Sequence, residues 1–128
     1  MSESFNIEII SPEKKLLTDK ANSVSIPAFE GEMTILSNHI PLITFLRPGI
    51  IKVYANKETE YFVEEGTVEF SKNKLLILSS TAIFLKELQK DKRDSLRQEA
   101  EKLLLGNNIS DKQRYILSYK VDTLKQIN

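Results

Sequence analysis

The chain has 128 residues, 41% of them hydrophobic and 28% charged, with 18 basic against 18 acidic side chains and no cysteine. Such a length makes one domain, or one small domain with an appendage, and supports a core without disulfide or metal staples. The composition excludes disulfides and thiolate chemistry, and no apolar run approaches the roughly 18 residues of a membrane span. The opening MSESFNIEII lacks the basic start and apolar core of a signal peptide. A soluble protein of a reducing compartment is expected, linked to any membrane only through a partner. The balanced charge hides an asymmetry: residues 1–85 carry 8 Lys+Arg against 11 Asp+Glu, and residues 86–128 carry 10 against 7. The two parts therefore face different surroundings, although a net +3 is far short of a nucleic-acid footprint.

From Phe5 to about Leu85 the apolar period is two. Phe5, Ile7 and Ile9 alternate with polar residues until Ser11-Pro12, and Lys15-Leu16-Leu17 makes a short run ending at Thr18-Asp19. Val24 and Ile26 follow, then Met33–Leu36, Leu42–Leu46 and Ile50–Ala55. A turn at Asn56-Lys57-Glu58 leads to residues 60–64, and Glu65-Gly66 leads to residues 67–70. Ser71-Lys72-Asn73 leads to residues 74–78, and residues 81–85 close the series. Nine or ten short strands at regular spacing predict an antiparallel sandwich or flattened barrel, and no helix-length segment interrupts them. Pro48-Gly49 has type II turn chemistry, with Gly49 at positive φ.

After Leu85 the period becomes helical, with Leu88, Leu96, Ala100, Leu103 and Leu104 on one stripe. Gly106 is expected at a left-handed helix stop, and Ser110-Asp111-Lys112-Gln113 reads as a capping box. Leu117, Val121 and Leu124 form a second stripe. Two helices with so short a connection make an antiparallel αα-hairpin, and stripes this narrow must pack on the β domain or on a partner. The domain organisation is 1–85 for the β domain and 86–128 for the hairpin.

No catalytic constellation assembles. His39 is the sole imidazole, and neighbouring Ser37 and Asn38 do not form a nucleophile–base–orienter set with it. Glu30 and Glu32 lie two apart and read as solvated turn carboxylates before an acid/base pair. Neither a phosphate loop nor a calcium loop is present, so no catalytic, cofactor or metal site is assigned. Phe29, Phe45, Tyr54, Tyr61 and Phe62 could stack bases, but they lie in alternating runs of a net acidic domain and are expected to pack the core. What remains is a binding or regulatory module.

The stretch IPAFEGEMTILSNHIPLITFLRPGIIKV (residues 26–53) holds three of the four prolines, two of the four glycines and the only histidine. It resembles the epsilon subunit family of F-type ATP synthases, called delta in mitochondria, whose pattern here is a strand, PA-x-x-GE, NH-x-P and L-x-PG. Residues 5–13, Tyr61-Phe62-Val63, residues 66–69 and LSSTAI (78–83) resemble the family's outer strands. The likeness runs strongly over 1–85 and more weakly over 86–128.

The resemblance implies a β-sandwich of about ten strands followed by a two-helix hairpin. It implies a non-catalytic subunit of the rotor's central stalk, with no active site of its own, coupling c-ring rotation to ATP synthesis. The partners implied are the gamma subunit, the c-ring and the alpha/beta catalytic head, at the cytoplasmic face of a bacterial plasma membrane. Neither direct membrane insertion nor a homo-oligomer is expected. Glu32 matches the family's acidic position facing the c-ring loop, with Glu30 beside it, and His39 matches a position near gamma. In the hairpin Arg93, Arg97, Lys112, Arg114 and Lys120 are the regulatory cations, suited to an acidic segment of the catalytic subunits when the hairpin extends and restrains hydrolysis.

Nucleotide-binding members carry Ile/Leu-Asp-x-x-Arg-Ala at the start of the first helix. This chain has Leu88-Gln89-Lys90-Asp91-Lys92-Arg93-Asp94, with acid and base two apart, and Tyr119 and Thr123 where those members place arginines. No cofactor is expected on that ground. The alternative reading is a stand-alone nucleotide-sensing module of the same architecture.

Overall fold

The computed structural model describes residues 3–127. Met1, Ser2 and Asn128, which the ranges 1–85 and 86–128 include, lie outside the described residues. Ten strands come first: β1 (Phe5–Ile10), β2 (Lys15–Ala21), β3 (Ser23–Ala28), β4 (Gly31–Leu36), β5 (Leu42–Leu46), β6 (Gly49–Tyr54), β7 (Glu58–Val63), β8 (Gly66–Ser71), β9 (Lys74–Leu78) and β10 (Ile83–Phe84). A 3₁₀ turn, Leu85–Glu87, leads to α1 (Lys90–Leu104) and α2 (Asp111–Gln126).

The strands form one hydrogen-bonded series, β10-β7-β6-β3-β5-β8-β9-β1-β2, with β4 on the other edge of β3. Every pair is antiparallel except β1 with β9. β3 makes the corner. Ser23–Ser25 pair with β6, while Ala28 pairs with Leu46 of β5, so one strand serves both layers of the sandwich. The period of two then does the packing, because alternate side chains share a face. Ile7 and Ile9, Val24 and Ile26, and Leu75 and Ile77 point inward with at most traces of exposure. At about 1.5–3 kcal/mol for each large apolar side chain, such burial is the main favourable term.

Both faces of β7 are covered. Tyr61, Phe62 and Val63 are buried in succession, which a strand with one wet face would not allow. Tyr61 and Val63 enter the sandwich core, and Phe62 faces the other way, into a cluster with Leu88 and Leu124. The hairpin is therefore folded down on the outer face of the β6–β7–β10 layer. Ser110 caps α2 as its spacing predicts, accepting from Gln113 N–H at 3.1 Å while Gln113 Oε1 accepts from Ser110 N–H at 2.8 Å.

Several local expectations are corrected. β2 does not stop at Thr18-Asp19; pairing with β1 carries it to Ala21, which is buried opposite Phe5. The last strand shrinks to Ile83–Phe84 because the Ser79, Ser80 and Thr81 side chains bond to the Glu64–Glu65 turn before any ladder forms. Leu88 precedes α1, and Leu103 is turned to solvent. Gly106 does not adopt positive φ; α1 ends instead in i→i−3 bonds, Leu105 N–H to Lys102 and Gly106 N–H to Leu103. Gly49 has no positive φ either, so the type II turn is absent. Its requirement is space, since a Cβ there would lie 2.5 Å from Pro27 Cβ.

Candidate functional site

Residues 26–53 form the spine of the molecule: the corner strand, both strands beside it and the start of β6. The β3–β4 turn is Phe29-Glu30, closed by the Ala28–Gly31 pair with Gly31 at φ +142°, a conformation suited to glycine. Glu30 and Glu32 are both exposed, and among the described residues neither carboxylate takes part in a hydrogen bond or ion pair. His39 lies beyond the other end of β4, roughly 20 Å away at ~3.3 Å per residue. The structure keeps these sites apart.

His39 is held as a loop fastener. Its Nδ1 donates to the Ile40 carbonyl at 2.7 Å, which puts the proton on that nitrogen, and its ring meets Phe70 edge-on with centroids 6.0 Å apart. Ser37 donates to the Ser4 carbonyl and accepts from Asn73, so it forms no nucleophile–base pair with the imidazole.

Beside these lies a face that sequence reasoning assigned wrongly. Phe45 was expected in the core but is 60% exposed, and Ile43, on the same side of β5, is 72% exposed. Leu42, Thr44 and Leu46 take the inward positions, so period two forces their neighbours out. Pairing then aligns Phe45, Thr67, Leu78 and Ile10 in one row across β5, β8, β9 and β1. The next row holds Ile43, Glu69, Leu76 and Glu8. Glu8 is bridged by Lys15 at 2.8 Å and Lys74 at 2.7 Å, and these bonds hold its carboxyl down to a pKa of about 2. A single exposed leucine needs no explanation, but exposed Ile43, Phe45 and Leu78 clustered on one face, with only Thr67 between the last two and charges around them, mark an interaction surface.

The hairpin cations are mostly engaged within the molecule. Lys120 pairs with Glu64 of the sandwich at 2.7 Å, and Arg97 pairs with Glu101 in its own helix at 2.6 Å. Arg114 donates to the Leu104 carbonyl at 3.3 Å, and the Lys112 ammonium lies 5.8 Å from the Phe29 ring centroid. Arg93 Nε is buried with no protein hydrogen-bond partner.

Three further docking residues escaped sequence reasoning. Arg47 is 8% exposed, and its guanidinium carbon lies 3.7 Å from the Tyr119 ring centroid. Tyr119 packs edge-on against Tyr115, whose hydroxyl donates to the Phe29 carbonyl at 2.6 Å. One signal was available: Arg47 is the only arginine before residue 93, and it stands between an apolar run and a proline. Arg47 and Arg93 both line a groove of about 1120 Å³ between the hairpin and the β6–β7 layer.

Residues 4–85 match the family described as ATP synthase, Delta/Epsilon chain, beta-sandwich domain. The chain is 45% identical to an ATP synthase epsilon chain of Pelagibacter ubique over a 130-position alignment spanning all of both chains. It is 35% identical to one of Rhizobium johnstonii, with 91% of each chain covered. Its fold is similar to a chain in the Euglena gracilis mitochondrial ATP synthase structure (OSCP/F1/c-ring), with a TM-score of 0.74 at 19% identity. That match covers 95% of this chain and 78% of the other. A chain of the Tetrahymena thermophila mitochondrial ATP synthase central stalk/c-ring structure matches at TM-score 0.69 and 15% identity, covering 98% and 96%.

Proposed function

This chain belongs to the ATP synthase delta/epsilon-chain family, and on that premise we propose that it is a non-catalytic central-stalk subunit of an F-type ATP synthase. It couples c-ring rotation to ATP synthesis in the catalytic head. The observation that carries the reading is the Phe45–Thr67–Leu78–Ile10 row with Ile43 beside it: exposed apolar side chains on one face of the sandwich, placed where a protein partner can cover them. That partner is gamma, with His39 at the margin of the contact. The β3–β4 turn is the ring-facing element, Glu32 opposing a c-ring loop and Glu30 assisting. An exposed pair there contributes at most about 1 kcal/mol, so it orients the contact more than it powers it. The chain needs no active site for this role and works at the cytoplasmic face of a bacterial plasma membrane. No described helix is long and apolar enough to cross one.

The hairpin is the regulatory element. Folded down, it spends Lys120 on Glu64 and Tyr119 on Arg47; extended along gamma, it presents Arg93, Arg97, Lys112, Arg114 and Lys120 to acidic surface of the head. The test is co-purification from membranes, joined to ATP hydrolysis by the assembled complex. The tagged chain is expected to recover gamma and the catalytic subunits, and failure to bind gamma ends the reading.

One observation favours a second reading, nucleotide binding in the docked hairpin. Arg47 and Arg93 each keep a buried Nε without a protein partner, and both line the same groove. Calorimetry with millimolar ATP separates the two. Saturable binding lost in Arg93→Leu supports a nucleotide site, and a flat titration removes it.

A further inference from the structure

Phe29 is the junction between the acidic turn and the hairpin. Its N–H donates to the Phe45 carbonyl of β5 at 2.7 Å, so the sheet holds one side of the residue. Its carbonyl accepts from the Tyr115 hydroxyl at 2.6 Å, and the two rings lie 5.0 Å apart at 43°. Glu30 and Glu32 have no side-chain bond of their own among the described residues, so backbone alone sets where they stand. Among the described residues, the one hydrogen bond that ties this turn to anything off the sheet comes from α2.

We propose that Tyr115 is a positioning residue for the acidic turn: docking of the hairpin holds the turn that carries Glu30 and Glu32, and departure of the hairpin frees it. Its significance rests on the ring-facing role proposed above, but the coupling itself is a property of the single chain. Hairpin extension removes the Tyr115 hydroxyl and ring together and leaves the Phe29 carbonyl to water. Coupling of this kind is reciprocal. A partner that grips the held turn favours the docked hairpin by the same factor by which docking favours the partner. A ring contact thus opposes extension, and an extended hairpin loosens the ring contact, with Tyr115 as the hydrogen-bonding link and Lys112 beside it over the Phe29 ring.

Amide hydrogen exchange on the full-length chain tests this with two variants. Tyr115→Phe keeps the ring and removes only the hydrogen bond. The Phe29 and Gly31 amides, which pair with Phe45 and Ala28, are expected to exchange about fivefold faster, the ratio that corresponds to one hydrogen bond's net worth of ~1 kcal/mol, with β9 unchanged. Leu124→Ala loosens the far end of α2, where Leu124 packs on Phe62 and Leu88 and touches nothing in the turn. It is expected to speed exchange in the turn as well as in both helices. Faster helix exchange with unchanged turn exchange in the two variants overturns the proposal. Loss of gamma co-purification by the wild-type chain would instead overturn the stalk reading and leave the exchange result standing.

Discussion

The guanidinium carbon of Arg47 lies over the Tyr119 ring, 3.7 Å from its centroid, and the contact joins the corner of the sandwich to the middle of α2. Among the described residues Arg47 has no carboxylate partner and its buried Nε has no hydrogen-bond partner, so the aromatic face is its main compensation for leaving water. A desolvated contact of this kind contributes about 2 kcal/mol. Tyr119→Leu is therefore expected to raise amide exchange across α1 and α2 by tenfold or more at that magnitude, while the sandwich keeps its protection. Tyr119→Phe, which keeps the ring, is expected to exchange like wild type; equal loss in both variants would assign the effect to the hydroxyl.

Gly49 is fixed by a neighbour rather than by its own dihedrals. With a Cβ 2.5 Å from Pro27 Cβ and 2.8 Å from its Cγ, Gly49→Ala forces β3 and β6 apart at the corner. Overpacking of this kind costs about 1–3 kcal/mol. The urea midpoint is expected to fall with no change in slope, and an unchanged midpoint would mean that the corner relaxes freely.

Glu8 makes the fold sensitive to acid. Its folded pKa, held at about 2 by Lys15 and Lys74, lies below the usual 4.5. The stabilisation is thus complete above about pH 4.5 and is lost as pH falls toward 2. Glu8→Gln is expected to lower Tm at pH 7, with the difference from wild type closing near pH 2. A gap that stays constant with pH would deny the two lysines their role.

The apolar row predicts a separation of binding from stability. Ile43→Ser with Phe45→Ser alters side chains that are mostly in water, so each is expected to change stability by no more than about 0.5 kcal/mol. Gamma co-purification is expected to fall sharply. Retained binding with unchanged Tm would move the interface to another face.

Local alternation and turn chemistry determined a good deal unaided. Inward positions on β1, β3 and β9 follow from period two, and the Ser110–Gln113 box stands four residues after the Gly106 stop where capping chemistry places it. The 26–53 stretch carried the family likeness because its prolines, glycines and acidic turn stand in a specific order. What could not be read is anything set by a second surface. Gly49 was assigned to φ because a glycine's sequence neighbours say nothing about Pro27 across the corner. Phe45 was placed in the core because alternation leaves open which of two parities faces inward until pairing is known. Arg47, Tyr115 and Tyr119 were passed over for the same reason. Each does its work across more than 65 residues of chain, where Tyr119 meets Arg47 and Tyr115 meets Phe29, and only the docked hairpin decides those meetings.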